Sequence, residues 1–386
     1  MSARPVRHVE AKPSVEQEEI PWSQVDADTR KDQLGKLFVE RDITGEVFKM
    51  IDSARADRRR YAEPQNVVIV GETGVGKSEI AKRYLAANPE RIDPETGCII
   101  RPVLYVDVRN SSTPKSVAQA MLRQLLHRGG IEDPTAPDDE FEGDQPIDEE
   151  KDKGAYVFGG TPELTYRVKK QMVAQKVEVA ILDEFHNTVT DNGAIRLNRI
   201  AEWVKDFAKT KTRNARNPDG KADENVVIVM MGTRKVNNII DPTVNAELAS
   251  ITPYRIGIDR YRYQTAPQKA EFRQFLDDLD LELPFDEDSK LGEPDIADKM
   301  HIATFGLLRQ VAHIVTKAAE LAIDDGAGRI REHHLHQAIE IKRGVLEAVM
   351  MSEESTKAER RPVENPFKAP PAAAQPKERK RSGYRG

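Results

Sequence analysis

Asn66-Val-Val-Ile-Val-Gly71-Glu72-Thr73-Gly74-Val75-Gly76-Lys77-Ser78 is an apolar run that breaks into a glycine-rich turn and ends in Lys-Ser. Val67 to Val70 read as a fully buried strand, too short for a helix and bounded by a turn signal. The glycines let successive backbone N–H groups turn inward to one point. The helix predicted to follow, Glu79-Ile80-Ala81-Lys82-Arg83-Tyr84-Leu85, adds the positive end of its dipole there. The spacing G-x-x-x-x-G-K-[ST] places Lys77 to reach the β- and γ-phosphates and the Ser78 hydroxyl to ligate Mg²⁺. Gly71, Glu72, Thr73, Gly74, Val75, Gly76, Lys77, Ser78 and Glu79 are therefore the expected ATP cradle.

A second apolar stretch supplies what such a cradle needs. Val177-Glu-Val-Ala-Ile-Leu-Asp183-Glu184-Phe185-His186-Asn187 delivers two adjacent carboxylates at the end of a strand, about 105 residues after the loop. Open α/β sheets hold their ligands at that edge. Asp183 is expected in the Mg²⁺ shell and Glu184 as the group that polarises a water towards the γ-phosphate. Asn225-Val-Val-Ile-Val-Met-Met-Gly-Thr233 is another buried strand, and its Thr233 is the candidate sensor of that phosphate. Val103 to Val108 and Tyr254 to Ile258 complete five strands. Thr113-Pro114 and Thr161-Pro162 open helices, the first with a core stripe of Val117, Met121, Leu122 and Leu125.

The rest of the chain falls into blocks. Residues 1–34 carry Pro5, Pro13 and Pro21 without periodicity and read as a mobile N-terminal arm. From Leu34 to about Arg60 the spacing suits one or two amphipathic helices; Val39 and Ile43 are candidates for an adenine wall, with plain core packing as the competing reading. Residues 132–152 hold eleven carboxylates against one lysine and read as a solvated acidic insertion. From Gln264 to about Met350 only helical patterns remain, a second domain after the α/β part at 35–262. Its Gly306-Leu307-Leu308-Arg309 opens a helix whose Leu308, Val311, Ala312, Val315, Ala319 and Ala322 face a core, leaving Arg309 to swing onto a nucleotide. His333, His334 and His336 lack a further ligand and read as a solvated turn rather than a metal site. Residues 351–386 read as a disordered basic tail, with nine Lys or Arg against three Glu from residue 356 on.

Charge and composition bound the possible functions. The net charge of −6 over 386 residues averages over blocks of opposite sign. Lys205, Lys209, Lys211, Arg213, Arg216 and Lys221 form a basic cluster suited to gripping phosphates without reading bases, or a solvated helix end. Cys98 is the single cysteine, which leaves neither an intrachain disulfide nor a thiolate zinc site. The sequence holds no apolar run of the roughly 18 residues that span a bilayer and starts on a polar stretch, so the expectation is a cytoplasmic protein with no membrane partner.

In this order, phosphate loop, Asp-Glu strand, Thr-ended strand and Gly-x-x-Arg helical domain resemble an AAA+ P-loop NTPase: a five-stranded parallel α/β sheet followed by a small all-helical lid. Ile181-Leu-Asp-Glu-Phe-His-Asn187, Val226 to Gly232-Thr233, Glu247-Leu-Ala-Ser250 and the Phe272-Arg273 to Phe285 run resemble, more narrowly, the TniB/TnsC family of transposition regulators over about residues 36–345. That resemblance implies an ATP-dependent, Mg²⁺-using ATPase that assembles with itself as a ring or helical filament on double-stranded DNA. It further implies target selection for a DDE transposase, with a target-selector protein or a CRISPR effector as a possible upstream partner. By position, Lys77 and Ser78 bind phosphate and Mg²⁺, Asp183 and Glu184 drive hydrolysis, Thr233 senses the γ-phosphate and Arg309 is the lid arginine.

The family commonly places an arginine just after the Leu-Ala-Ser segment, for the neighbouring subunit's ATP. Ile251 stands there in this chain. Either Arg255, four residues on, takes that role, or hydrolysis is slow. DNA contact is expected along the central channel, at Arg109 to Lys115 with Lys115 first, ahead of the peripheral Lys209, Lys211 and Arg213. Two alternatives stand beside this reading: an AAA+ ATPase of another task, initiator-like or secretory, and a slowly hydrolysing nucleotide-switched scaffold.

Overall fold

The computed structural model describes residues 21–58, 60–94, 97–109, 111, 113–126, 159–189, 194–212, 224–350 and 365–367. The acidic insertion at 132–152, Arg213, Arg216, Lys221, residues 1–20 and most of the basic tail lie outside them.

Five strands form one parallel sheet: β1 Val67–Gly71, β2 Val103–Asp107, β3 Val179–Asp183, β4 Val227–Gly232 and β5 Tyr254–Ile258, in the order β2-β3-β4-β1-β5. Strands covered on both faces read as continuous apolar runs, which is why Val-Val-Ile-Val and Val-Ile-Val-Met-Met were legible. Alternate residues divide between the two faces. Val68, Leu104, Val106, Ala180, Leu182, Ile228 and Met230 pack under α4 (Pro114–Leu126), α5 (Thr161–Ala174) and α6 (Ala194–Ala208). Val67, Ile69, Val103, Val179, Ile181, Val227 and Val229 pack on the other side against α2 (Asp42–Asp57) and α3 (Lys77–Ala86). Two short antiparallel pairs, Arg91–Ile92 with Ile99–Ile100 and Lys211–Thr212 with Glu224–Asn225, extend the loops.

Beneath the sheet a buried ion network ties α2 to the start of β3. Arg55 donates from Nε and Nη2 to Glu178 Oε2 at 3.1 and 2.6 Å, and from Nη1 to Tyr84 and Asn88. Arg58 lies 3.8 Å from the same carboxylate and also bonds the Asn225 carbonyl and Thr212.

After α7 (Pro242–Ser250) and β5, the chain enters four helices: α8 Ala266–Leu281, α9 Pro294–Thr304, α10 Leu308–Asp324 and α11 Glu332–Met350. Their shared core includes Phe272, Leu276, Met300, Val311, Ile314, Val315 and Ala319. This is the AAA+ P-loop fold with its helical lid.

Two segments expected to be loose are docked on that lid. Residues 21–34, part of the expected arm, form a 3₁₀ turn and helix α1 (Ala27–Leu34). Trp22 and Ser23 backbone N–H groups donate to Asp286, Arg30 donates to the Pro284 carbonyl, and Leu34 is buried in the lid core. Asp26 caps α1 through Thr29. From the tail, Phe367 is buried in the same core, and Asn365 donates to the His336 carbonyl and to Glu340. Among the described residues, no helix is long and apolar enough to cross a membrane.

Candidate active site

β1 runs directly into the phosphate loop, and α3 begins at Lys77. Gly74 (φ +88°) and Gly76 (φ +93°) hold left-handed backbone, which glycine adopts without steric cost. Gly71 is needed for a different reason: a Cβ there would sit 2.4 Å from the Ile258 carbonyl oxygen of β5. Lys77 is buried, and its Nζ donates to the carbonyls of Gly71 and Glu72 at 2.8 and 2.9 Å. Ser78 and Glu79 follow on the first turn of α3.

Asp183 ends β3, almost wholly buried, one strand removed from β1. Its Oδ1 accepts from the Glu184 N–H at 2.8 Å and its Oδ2 from the Tyr105 hydroxyl at 2.9 Å. Burial, with the Asp183 charge added, holds that phenol protonated well above its usual range, so Tyr105 is a standing donor. Glu184 adopts left-handed backbone (φ 55°) and its side chain lines the cavity over the loop. Thr233 lies at the end of β4, between β3 and β1; its Oγ1 is buried without a hydrogen-bond partner among the described residues. Such an orphaned hydroxyl, beside glycine-shaped N–H groups and a buried carboxylate, fits a phosphate and its Mg²⁺.

The lid meets the loop directly. The Arg309 N–H donates to the Gly74 carbonyl at 3.0 Å, a Cβ on Gly74 would fall 3.1 Å from Arg309 Cβ, and one on Gly76 3.3 Å from Leu308. Arg309 itself is exposed, at the rim of a cavity of about 400 Å³. The phosphate loop forms one wall of this cavity, Phe275, Leu279, Ala312 and Thr316 of the lid a second, and Leu34 to Arg41 a third. Volume and apolar lining suit a purine base next to the phosphates. Val39 lines it, whereas Ile43 packs with the β1-side core. Ala312, read as core-facing, is exposed to the cavity.

Three basic residues at the site carry no sequence motif. The Arg41 guanidinium lies 4.5 Å from the Tyr261 ring and reaches towards the Val75 and Asp259 carbonyls. Arg260 pairs with Glu72 at 2.7 Å, tying the loop to the connection that leads from β5 into the lid. Arg83 covers the ring of Phe38 in the cavity wall. The signal of Arg41 and Arg260 is weak because isolated arginines in irregular segments have no periodicity, and Arg83 reads as an ordinary exposed-face residue of α3.

Arg255 stands apart from this group. It is exposed on β5, in register with Val68, and donates to the Thr252 and Ala249 carbonyls at 3.2 and 3.4 Å. Ile251 is buried. Arg109 follows β2 and pairs with Asp107 at 3.1 Å; Lys115 is exposed on the first turn of α4. In the peripheral basic cluster, Lys205 is buried against Glu202 and Glu247, Lys209 also pairs with Glu247, and Lys211 is exposed.

A family model described as AAA domain matches residues 59–240. No curated protein matches the sequence. Among solved structures, the chain is similar to the Aeropyrum pernix ORC1 protein in complex with DNA, at 18% identity and TM-score 0.49, covering 83% of this chain and 71% of that one. It is also similar to the Aeropyrum pernix ORC2 protein (14%, TM-score 0.49, 79% and 69%) and to Cdc6p from Pyrobaculum aerophilum (12%, TM-score 0.49, 80% and 70%). With the phosphate loop, its facing acids and the AAA-domain match over residues 59–240, the chain has the AAA+ P-loop fold and is an ATPase.

Proposed function

We propose that this ATPase assembles on duplex DNA as a ring or helical filament, selects the target for DNA transposition and recruits a DDE transposase. ATP and Mg²⁺ favour assembly, and hydrolysis through Glu184 releases it. The observation that carries the reading is the position of Arg255. The loop leaves the sheet at Gly71, which pairs with Ile258, so Arg255 lies three residues back along β5, about 10 Å of strand from its own phosphates. An exposed arginine there suits the nucleotide of a second copy, as the TniB/TnsC resemblance implies. The resembling stretches Asp183 to Asn187 and Gly232-Thr233 fall on neighbouring strand ends facing the loop, which supports the same reading.

Lys115 is the first DNA contact in this proposal and Arg109 the second, with Lys209 and Lys211 peripheral. The test is electron microscopy of the protein with random-sequence duplex DNA, with ATP, with a non-hydrolysable analogue and without nucleotide. Nucleotide-dependent rings or filaments are expected, persisting with ATP in Glu184→Gln and absent in Lys77→Ala. Bare DNA beside monomers that still bind ATP would refute the assembly. DNA affinity should fall steeply with salt and ignore sequence.

A further inference from the structure

One side chain outside the assigned set touches the hydrolytic carboxylate. His186 stands on the 3₁₀ turn Phe185–Thr188, and its Nδ1 is 3.2 Å from Glu184 Oε2, with both side chains 18% exposed. The turn that presents it is firmly held. Phe185 is wholly buried, the Thr188 hydroxyl donates to the Phe185 carbonyl at 2.7 Å, and the Asn187 N–H donates to the Glu184 carbonyl at 3.0 Å. Glu184 holds left-handed backbone, which is unfavourable for an L-residue, and such outliers persist where the surroundings over-determine them.

The imidazole also packs against the end of β4. A Cβ on Gly232 would lie 3.1 Å from His186 Nδ1 and 3.0 Å from the His186 backbone nitrogen. Gly232 is followed by Thr233, whose hydroxyl has no hydrogen-bond partner among the described residues. His186 thus stands between the carboxylate that handles the water and the strand end that reads the γ-phosphate.

We infer that His186 is a positioning residue for ATP hydrolysis, fixing the Glu184 carboxylate and linking it to the Thr233 end of β4. The inference rests on the reading of Glu184 as the residue that orients the attacking water. The 3.2 Å contact is not aligned as a hydrogen bond in this structure; with Nδ1 protonated, a small turn of the imidazole would let it donate to Oε2 and leave Oε1 to accept from water. Water oxygen bonds to the γ-phosphorus as the bond to the β–γ bridging oxygen breaks. The proton passes from water to Oε1 and on to solvent, and the imidazole keeps its own throughout. A carboxylate free to rotate would spend less time aimed at the water, and misplacement of a reacting group by 1 Å costs up to about 100-fold in rate.

The test uses the full chain, with steady-state phosphate release and titration of a fluorescent ATP analogue. His186→Phe keeps a planar ring against Gly232 without a nitrogen; His186→Asn returns an amide N–H near the place of Nδ1. The phenylalanine variant should lose about 10- to 100-fold in kcat with KM and analogue affinity within about twofold, and the asparagine variant should recover most of the rate. A phenylalanine variant with unchanged or raised kcat would overturn the inference, as would an asparagine variant no better than phenylalanine, or loss of analogue affinity in both. Glu184→Gln separates the two readings. If it retains kcat, the role given to Glu184 fails; if it abolishes turnover while both His186 variants match the wild type, only the inference about His186 fails.

Discussion

Gly74→Ala tests whether the cradle depends on left-handed backbone at the point where the lid touches it. Gly74 has φ +88°, and an alanine held there costs roughly 1 to 2 kcal/mol. The new Cβ would also stand 3.1 Å from Arg309 Cβ, so the start of α10 must withdraw and strain the 3.0 Å bond from Arg309 N–H to the Gly74 carbonyl. Such a bond contributes about 0.5 to 1.5 kcal/mol. Together the terms bias the loop against its cradle conformation by roughly 1.5 to 3.5 kcal/mol. Apparent affinity scales with the population of the competent conformation, so the Kd for ATP should rise by up to about 10- to 400-fold. Titration of a fluorescent ATP analogue measures this. Gly97→Ala is the control: Gly97 has φ +66° with nothing within 4 Å of an added Cβ, and it should carry a comparable backbone penalty with unchanged ATP affinity. Affinity within twofold of the wild type in Gly74→Ala would refute the reasoning, and equal loss in both variants would show that the effect is not local to the cradle.

Other outcomes follow from contacts at and around the site. Glu178→Ala leaves Arg55 and Arg58 buried without their shared carboxylate and should destabilise by about 3 to 5 kcal/mol; calorimetry should record a fall in Tm of roughly 4 to 6 °C. Arg41→Ala removes the guanidinium over Tyr261 at the cavity wall and should raise KM for ATP roughly 2- to 30-fold with little change in kcat, measured by phosphate release. Burial lowers the pKa of His301, His313 and His334 below the usual 6.5, all three in the lid. The folded lid then binds fewer protons than the unfolded chain, so this part of its stability is complete above pH 6.5 and is lost as pH falls through the lower folded values. Hydrogen exchange of lid amides should accelerate from pH 7 to 5.5, after correction for intrinsic rates, and His301→Gln should flatten the trend.

The parts of the site that the sequence announced are those where local chemistry leaves one option. A buried parallel strand must be continuously apolar, a phosphate loop must have glycines where φ is positive, and an acid pair at a strand end faces the ligand edge by topology. That covers Lys77, Asp183, Glu184, Thr233 and the approach of Arg309. What stayed illegible depends on tertiary placement. Strand order is absent from the strands themselves, since β1 between β4 and β5 looks like any apolar run. Helix α1 buries only Arg30 and Leu34, too few for a periodic pattern, and its docking relies on the carbonyl of Pro284 and the carboxylate of Asp286, both more than 250 residues away. Arg41 and Arg260 work through backbone carbonyls and one carboxylate in irregular segments. Ala312 fits the apolar stripe of α10 yet faces the cavity over the phosphate loop, because a stripe wide enough to close a core also reaches its rim.

The docking of α1 changes what closure over the nucleotide entails. In a two-wall site, sheet and lid would move against each other with the base between them. Here Leu34 and Gly35 line the cavity together with Phe275 and Leu279 of α8, and Leu34 belongs to the lid's own core. The N-terminal wall therefore travels with the lid. The hinge must then lie where the two bodies exchange chain: at 35–41, between α1 and α2, and at 259–265, between β5 and α8. Those stretches are tied to each other and to the phosphate loop, by Arg41 on Tyr261 and the Asp259 carbonyl, and by Arg260 on Glu72. Gly306 packs against the second of them so closely that a Cβ would meet the Tyr261 carbonyl oxygen at 2.1 Å. A displacement of the loop would therefore reach the start of α10 by two routes, directly through the Arg309 N–H on the Gly74 carbonyl and through Arg260, residues 259–261 and Gly306. Arg309 stands on that same helix start, so a displacement of residues 259–261 would be passed to Arg309 and to the proposed hinge together.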